Sequence, residues 1–478
     1  MNSMVLVNIA LMLSAGLLAL LFSRGAAVLL LLLPASQALG LVRPASIAAK
    51  GIVDVHLLLA LSILGLILAS VGRLHELRNA RFLVPALLWI GFWLYGVVYP
   101  LRNESSTLFY ALKASKEFVT LFSYFAIALF LRTERDVQWG WRFLLGLGLY
   151  YSLVEMAAQV MGEGFLRRLT FDYQQEGVRF WKVFVSFWPV ILIAFMHAFF
   201  ELVLRVNRSY FSLLVSGFGL LLTFFRSYLL GTAGAIPLVL LLARRKVRSI
   251  ASGVLSFGFV LGTAVVVMAL VAGGRVATPG GVLDHFVLSG IRELQTQKGG
   301  SIEGREVFAQ GRRDILERSP YTGYGFIDKD SKAGRRFQEH MTGDMLGFID
   351  KGDVDTALKF GLIGRAFLYA AFGYLAWALI QLAKQRLRPT LDVRCLAVAA
   401  TVAVYLVVQP FHAPLTYSFG LLPLGIALGL IERELALALH NRAVDPAPVE
   451  STEPMREFAE TPEKRILSWS GCSILSRP

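Results

Sequence analysis

The stretch LLLTFFRSYLLGTAGAIPLVLLLARRK, residues 220–246, decides the fold class. One apolar run ends at Phe225 and a second covers 228–242; Arg226 sits at their junction, and Arg244, Arg245 and Lys246 close the second run. A hydrocarbon core about 30 Å thick is crossed by about 20 residues of helix, and lipid leaves no backbone amide unsatisfied. The runs show no alternation of polar and apolar positions, so they read as helices and not as strands of a membrane barrel.

The same pattern recurs outward from this pair. Apolar segments fall at 4–22, 25–41, 55–72, 82–99, 117–131, 142–161, 182–203, 209–223, 227–242, 251–272, 362–382, 393–409 and 415–433. The expectation is an all-α polytopic membrane protein with about 12–13 transmembrane helices. Four regions follow: an N-terminal transmembrane bundle over 1–272, a large charged extracytoplasmic loop over 273–361, C-terminal transmembrane helices over 362–435, and a Pro- and Glu-rich cytoplasmic tail over 436–478 that reads as disordered. Hydrophobic residues make up 56% of the chain and charged ones 17%, against the roughly 25% charged of soluble domains. The net charge of +14 reads as topology-setting charge in short loops, so no nucleic-acid partner is expected. The first apolar segment lacks a basic leader and a small-residue cleavage pattern and reads as retained. Cys395 and Cys472 support no disulfide framework.

Alternating the spans puts the basic loops 73–81, 132–142, 205–208, 244–248 and 384–394 on one side, which the positive-inside rule makes the cytoplasm. The segments 42–54, 100–116, 162–181, 224–226, 273–361 and 409–418 then face outward. Arg226 is a cation on the outer side, where it is disfavoured unless it snorkels, pairs or lines a watery cavity. In the long loop, a helix expected over 302–318 carries Arg305, Arg312, Arg313 and Arg318, followed by the breakers Pro320, Gly323 and Gly325. Its arginines read either as a solvated helix face or as guanidiniums facing a phosphate-bearing ligand. A second short helix is expected over 344–361. There Asp350, Asp353 and Asp355 lack calcium-loop spacing and read either as dressing for a helix N-terminus or as a source of a general base. Glu155 and Glu201 lie near span ends and are expected to pair inside the bundle. No histidine pair has metal-ligand spacing, and no P-loop, GxSxG, HExxH or Rossmann fingerprint occurs, so neither nucleotide nor metal is expected.

Three of these places together resemble the O-antigen ligase and polymerase superfamily, the bacterial membrane glycosyltransferases that use undecaprenyl-diphosphate-linked sugars. The turn at Arg226 is similar to the family's outer turn with its first essential arginine. Gly304-Arg305-Glu306-Val307-Phe308, followed by Ser319-Pro320-Tyr321-Thr322-Gly323-Tyr324-Gly325-Phe326, resembles the family's loop segment, with Arg305 as the loop arginine and Ala309 in place of an aromatic. Asp350 to Gly364, with Phe360-Gly361-Leu362-Ile363-Gly364 intact, resembles its third segment, with Asp350 where ligases carry histidine. The resemblance covers about 200–435. It implies a GT-C-like fold in the bacterial inner membrane that polymerises lipid-linked repeat units into a surface or exopolysaccharide without metal, nucleotide or other cofactor. Arg226 and Arg305, with Arg312 and Arg313, would grip the diphosphate, and Asp350, or else Asp353 or Asp355, would accept the proton. The implied partners are the undecaprenyl-diphosphate glycan donor and acceptor, membrane lipids, a chain-length regulator and a flippase. The alternatives are a ligase moving glycan to lipid A core, and a polysaccharide flippase or secondary transporter.

Overall fold

The computed structural model describes residues 13–19, 21–35, 55–161, 170–175, 178–183, 188–207, 210–223, 225–244, 309–339 and 352–444, with a few single positions elsewhere. After a 3-10 turn at Arg24–Ala26 come helices α1 (Ala27–Ala35), α2 (Val55–Leu68), α3 (Leu83–Arg102), α4 (Leu108–Val119), α5 (Ser123–Phe130) and α6 (Glu134–Met161). A hairpin of β1 (Thr170–Gln175) and β2 (Val178–Val183) precedes α7 (Pro189–Val203), α8 (Tyr210–Leu222) and α9 (Arg226–Leu242). The chain continues with α10 (309–316), α11 (Lys332–Glu339), α12 (Gly352–Lys384), α13 (Pro389–Val408) and α14 (Ser418–Val444).

The molecule is helical and carries membrane-type spans. Among the described residues, α3, α12 and α13 are long and apolar enough to cross a membrane. Leu58–Leu68 and the 3-10 segment Val71–Asn79, bent by 85°, make a fourth if taken as one span. Helices α7 and α8 and the Ser227–Leu242 part of α9 are apolar but shorter.

Four local features go beyond the expected layout. The hairpin, paired from Thr170↔Val183 to Gln175↔Val178, departs from a wholly helical chain. β-branched and aromatic residues, here Val178, Phe180, Trp181 and Val183, favour a strand. The basic segment 73–81 is 3-10 helix over most of its length. The span expected at 117–131 is broken at Thr120–Phe122, and the helix before it, α4, reaches back into the expected outer loop. Finally, α14 runs to Val444, past the boundary expected at 435. The segments 36–54, 273–308, 340–351 and 445–478, and most of 251–272, lie outside the described residues.

Charged side chains tie the bundle at one end. Glu432 of α14 accepts from the backbone amides of Arg81 and Phe82 at 3.0 and 3.1 Å and from the Tyr124 hydroxyl at 3.1 Å. It thereby places a carboxylate on amides that α3 cannot satisfy within its own first turn. Next to it in sequence, Arg433 bonds Glu76 at 2.8 Å and the Arg132 carbonyl at 3.0 Å, and Glu434 takes Arg394 at 2.6 Å. Arg388 reaches Glu134 at 2.5 Å. Three of the basic loops, 73–81, 132–142 and 384–394, therefore meet at one end of the bundle. Of the segments expected on the opposite side, the described parts of 100–116, 319–337 and 409–417 gather near the other end of α3 and at the start of α12, where the site is built.

Between the ends the packing is aromatic and tight. Trp89 of α3 is buried, stacked on Phe372 at 5.7 Å and edge-on to Tyr124 at 6.5 Å. Lipid tails are as apolar as these rings, so close packing and not water exclusion rewards the contact. Glu201 lies 3.7 Å from His197 one turn back, beyond hydrogen-bond distance. Glu155 is buried, as is Cys395 in α13.

Candidate functional site

The site is built around a break in α12. Gly361 has φ 69° and ψ 179°, which splits this helix into a short N-terminal piece and the long span beginning at Leu362. Only glycine holds that conformation without strain, and a Cβ there would collide with the Tyr321 carbonyl.

The segment 319–326 lies in the break and satisfies the backbone groups it exposes. The Tyr324 and Gly325 amides donate to the Leu358 and Lys359 carbonyls, both at 2.8 Å, and the Leu362 amide donates to the Pro320 carbonyl at 2.8 Å. Gly323, at φ 67°, would place a Cβ 2.5 Å from the Gly361 nitrogen, so the two glycines make one contact. The Phe326 amide donates to the Gly96 carbonyl at 2.7 Å, and the Tyr95 hydroxyl donates to the Thr322 carbonyl at 2.6 Å. The Phe326 ring is buried against Phe118 and Phe360 at 5.8 and 5.6 Å, and Phe360 meets Phe92 at 5.4 Å. The breakers expected at Pro320, Gly323 and Gly325 thus form a fitted strap across α3, α4 and α12.

The short piece of α12 carries two of the predicted carboxylates, in different settings. Asp353 is bonded by Arg365 at 2.7 Å and by the Tyr369 hydroxyl at 3.0 Å, with its side chain 30% exposed. Asp355 is 5% exposed and bonded by Lys359 one turn on at 2.8 Å. The Lys359 ammonium lies 4.1 Å from the centre of the Tyr417 ring. Burial pushes the Tyr417 phenol well above its usual range, and the Asp355 and Glu117 carboxylates push it the same way.

Gln409 fixes this piece to the 409–417 loop. Its side chain is fully buried, with Nε2 donating to the Gly352 carbonyl at 3.1 Å and to Thr356 Oγ1 at 3.0 Å, while Oε1 accepts from the Leu415 amide at 3.0 Å. A Cβ on Gly352 would strike the His412 carbonyl. The His412 ring packs edge-on to Phe225 at 5.1 Å, and Phe225 stacks on Trp188 at 4.6 Å. The start of α9, and so the backbone of Arg226, is one loop away from Asp353 and Asp355.

Among the predicted arginines, Arg312 is the surprise. It is 2% exposed on α10, near enough for its charge to act on Tyr417, which excludes the solvated-face reading for it. Arg313 is half-buried on the same helix. Arg305, Asp350 and the Arg226 side chain lie outside the described residues. Sequence reasoning passed over Gln409, Lys359, Arg365 and Tyr369. The spacing of Asp355 and Lys359, four apart on a helix, signals their pairing; nothing local signals Gln409, two of whose three partners, Gly352 and Thr356, lie more than fifty positions away.

No protein-family model matches the chain, and no curated protein matches it.

Proposed function

We propose that the chain is a polytopic, GT-C-like glycosyltransferase of the bacterial inner membrane that polymerises undecaprenyl-diphosphate-linked repeat units at the periplasmic face. One observation carries the reading. Two segments that resemble the same transferase superfamily, 319–326 and 358–364, are joined by three backbone hydrogen bonds at one end of the bundle. The turn leading into Arg226 approaches that place through His412.

In this reaction an acceptor hydroxyl attacks the anomeric carbon of the donor sugar. The bond from that carbon to the diphosphate oxygen breaks, and undecaprenyl diphosphate leaves with the electron pair. Arg226 and Arg305 offer forked donors to the charge that accumulates on the leaving group, with Arg312 and Arg313 adding positive field from α10. The hydroxyl proton goes to a carboxylate, Asp350 or, on the described helix, Asp353. Of Asp353 and Asp355, accessibility favours Asp353, because Asp355 is sealed under Lys359 and Tyr417. The bond energy of the donor drives transfer, so the reading calls on no nucleotide and no metal.

A flippase or transporter is less well supported. Transporters place broken helices near the middle of the bilayer, at the substrate site. Here the break leaves roughly 23 residues, ~35 Å of unbroken helix, on its span side, which locates it at the end of the bundle. A ligase reading is disfavoured by aspartate at 350 where ligases carry histidine.

The deciding experiment supplies purified protein in lipid with a synthetic undecaprenyl-diphosphate oligosaccharide. A ladder of lengthening lipid-linked products, formed without nucleotide, is expected. Intact substrate after prolonged incubation with well-folded protein overturns the assignment.

A further inference from the structure

Beside the strap lies a cleft of about 480 Å³ that the proposed chemistry does not use. It opens between the end of α3, at Asn103 to Ser105, and the segment from Arg318 to Phe337. Its walls are fixed. The Ala333 amide donates to the Ser105 carbonyl at 3.0 Å, and Lys113 of α4 clamps Asp328 and Asp330 at 3.1 and 2.8 Å. The Tyr324 hydroxyl donates to the Ile315 carbonyl at 3.0 Å, and its ring meets Phe337 edge-on at 5.0 Å.

Three cations, Arg318, Lys332 and Arg336, line this space against one carboxylate, Glu104. All three are exposed, and none forms an ion pair with a carboxylate among the described residues. Like charges held together by a fixed frame repel unless an anion joins them. The volume is that of a small-ligand site, and the lining mixes polar groups with two aromatic rings. Cationic forks beside an aromatic floor suit a sugar that carries an acid and do not suit an acyl chain.

We propose that this cleft is a subsite for the acidic substituent, carboxylate or phosphate, of the glycan being elongated, and hence that the polymer is anionic. The glycan as occupant rests on the polymerase reading; binding of a sugar acid is measured without turnover.

Calorimetry on the full-length protein in uncharged lipid nanodiscs tests it, with trigalacturonate, mannose 6-phosphate, maltotriose and glycerol phosphate as probes. At least one of the two acidic saccharides should bind at least about tenfold tighter than maltotriose. The double variant Arg318→Gln, Arg336→Gln should lose about tenfold or more of that affinity and leave maltotriose unchanged. Raising salt from about 0.05 to 0.5 M should weaken the acidic ligand alone, a test on the native protein that needs no variant to fold. Equal affinity for acidic and neutral saccharides overturns the proposal, as does an unaltered affinity in the double variant. Glycerol phosphate binding as tightly as the acidic sugars also overturns it and assigns the cleft to a phospholipid headgroup. Protein that binds trigalacturonate through these arginines but elongates nothing keeps the cleft and defeats the polymerase; an elongating enzyme indifferent to the substitutions does the reverse.

Discussion

Asp353 and Asp355 are two residues apart, yet their surroundings assign them different work. Asp353 keeps an open face between Arg365 and Tyr369, so Asp353→Asn, nearly the same shape, should leave folding intact. If this residue takes the acceptor proton, turnover falls by about 10² to 10⁴ in single-turnover transfer, and normal turnover returns the role to Asp350. Asp355→Asn removes the charge from the buried partner of the half-buried Lys359 ammonium and should cost about 1–3 kcal/mol of stability, read as a lowered unfolding midpoint in detergent. At the start of α9, Arg226→Lys keeps the charge and loses the planar fork. Polymer yield should drop strongly at normal membrane expression; full-length polymer at ordinary yield would reduce Arg226 to an anchor.

Helix α12 and its strap work as one element. Gly361→Ala imposes a left-handed conformation on a residue with a Cβ and drives that carbon into the strap, so it should cost at least about 1–3 kcal/mol and expose the 319–326 segment to protease. Ala substituted at Gly373, where nothing crowds the Cβ, is the control and should be nearly neutral or slightly stabilising. The Lys113 clamp on the neighbouring loop has its own pH window. Bonding to Lys113 lowers the Asp330 carboxyl below its ordinary 3.8. Burial pulls the Lys113 ammonium down, but the Asp330 and Asp328 carboxylates outweigh it and hold it above its ordinary 10.5. A lowered acid contributes above its unfolded pKa and loses that contribution as pH falls through the folded one; a raised base contributes below its unfolded pKa and loses it as pH rises through the folded one. The clamp should therefore hold from about pH 4 to about pH 10.5 and loosen outside, seen as faster proteolysis between Asp328 and Ala333. Because Asp330 is half exposed, solvent screens the pair and the change is small. Unchanged cleavage at pH 3 in an acid-stable protease removes the clamp from the account.

On the scale of the whole molecule, the two ends of the bundle differ in kind. One is held by ion pairs among basic loops and the Glu432-Arg433-Glu434 run of α14, the other by the strap, the 409–417 loop and the cleft. In a Cys472→Ser background, with Cys395 buried, a cysteine at Gln385 and one at Arg335 should react with a membrane-impermeant maleimide from opposite faces. Reaction of both from one face would dismantle the two-ended arrangement and the site built on it.

Hydrophobic runs determined on their own that the chain is helical and membrane-type, because the length and apolarity that lipid demands are local properties of a sequence. Glycine and proline marked the breakers at Pro320, Gly323 and Gly325 for the same reason, since the conformations they permit belong to single residues. The break of the fifth apolar segment at Thr120–Phe122 had no such mark. Tertiary structure alone decided that the strap fills the break at Gly361, that Gln409 bonds Gly352, Thr356 and Leu415, and that Arg312 is buried. Each depends on at least one partner tens to hundreds of positions away. A hydrogen bond or a desolvated charge is defined by what packs against it, and a linear pattern of residue types does not contain that.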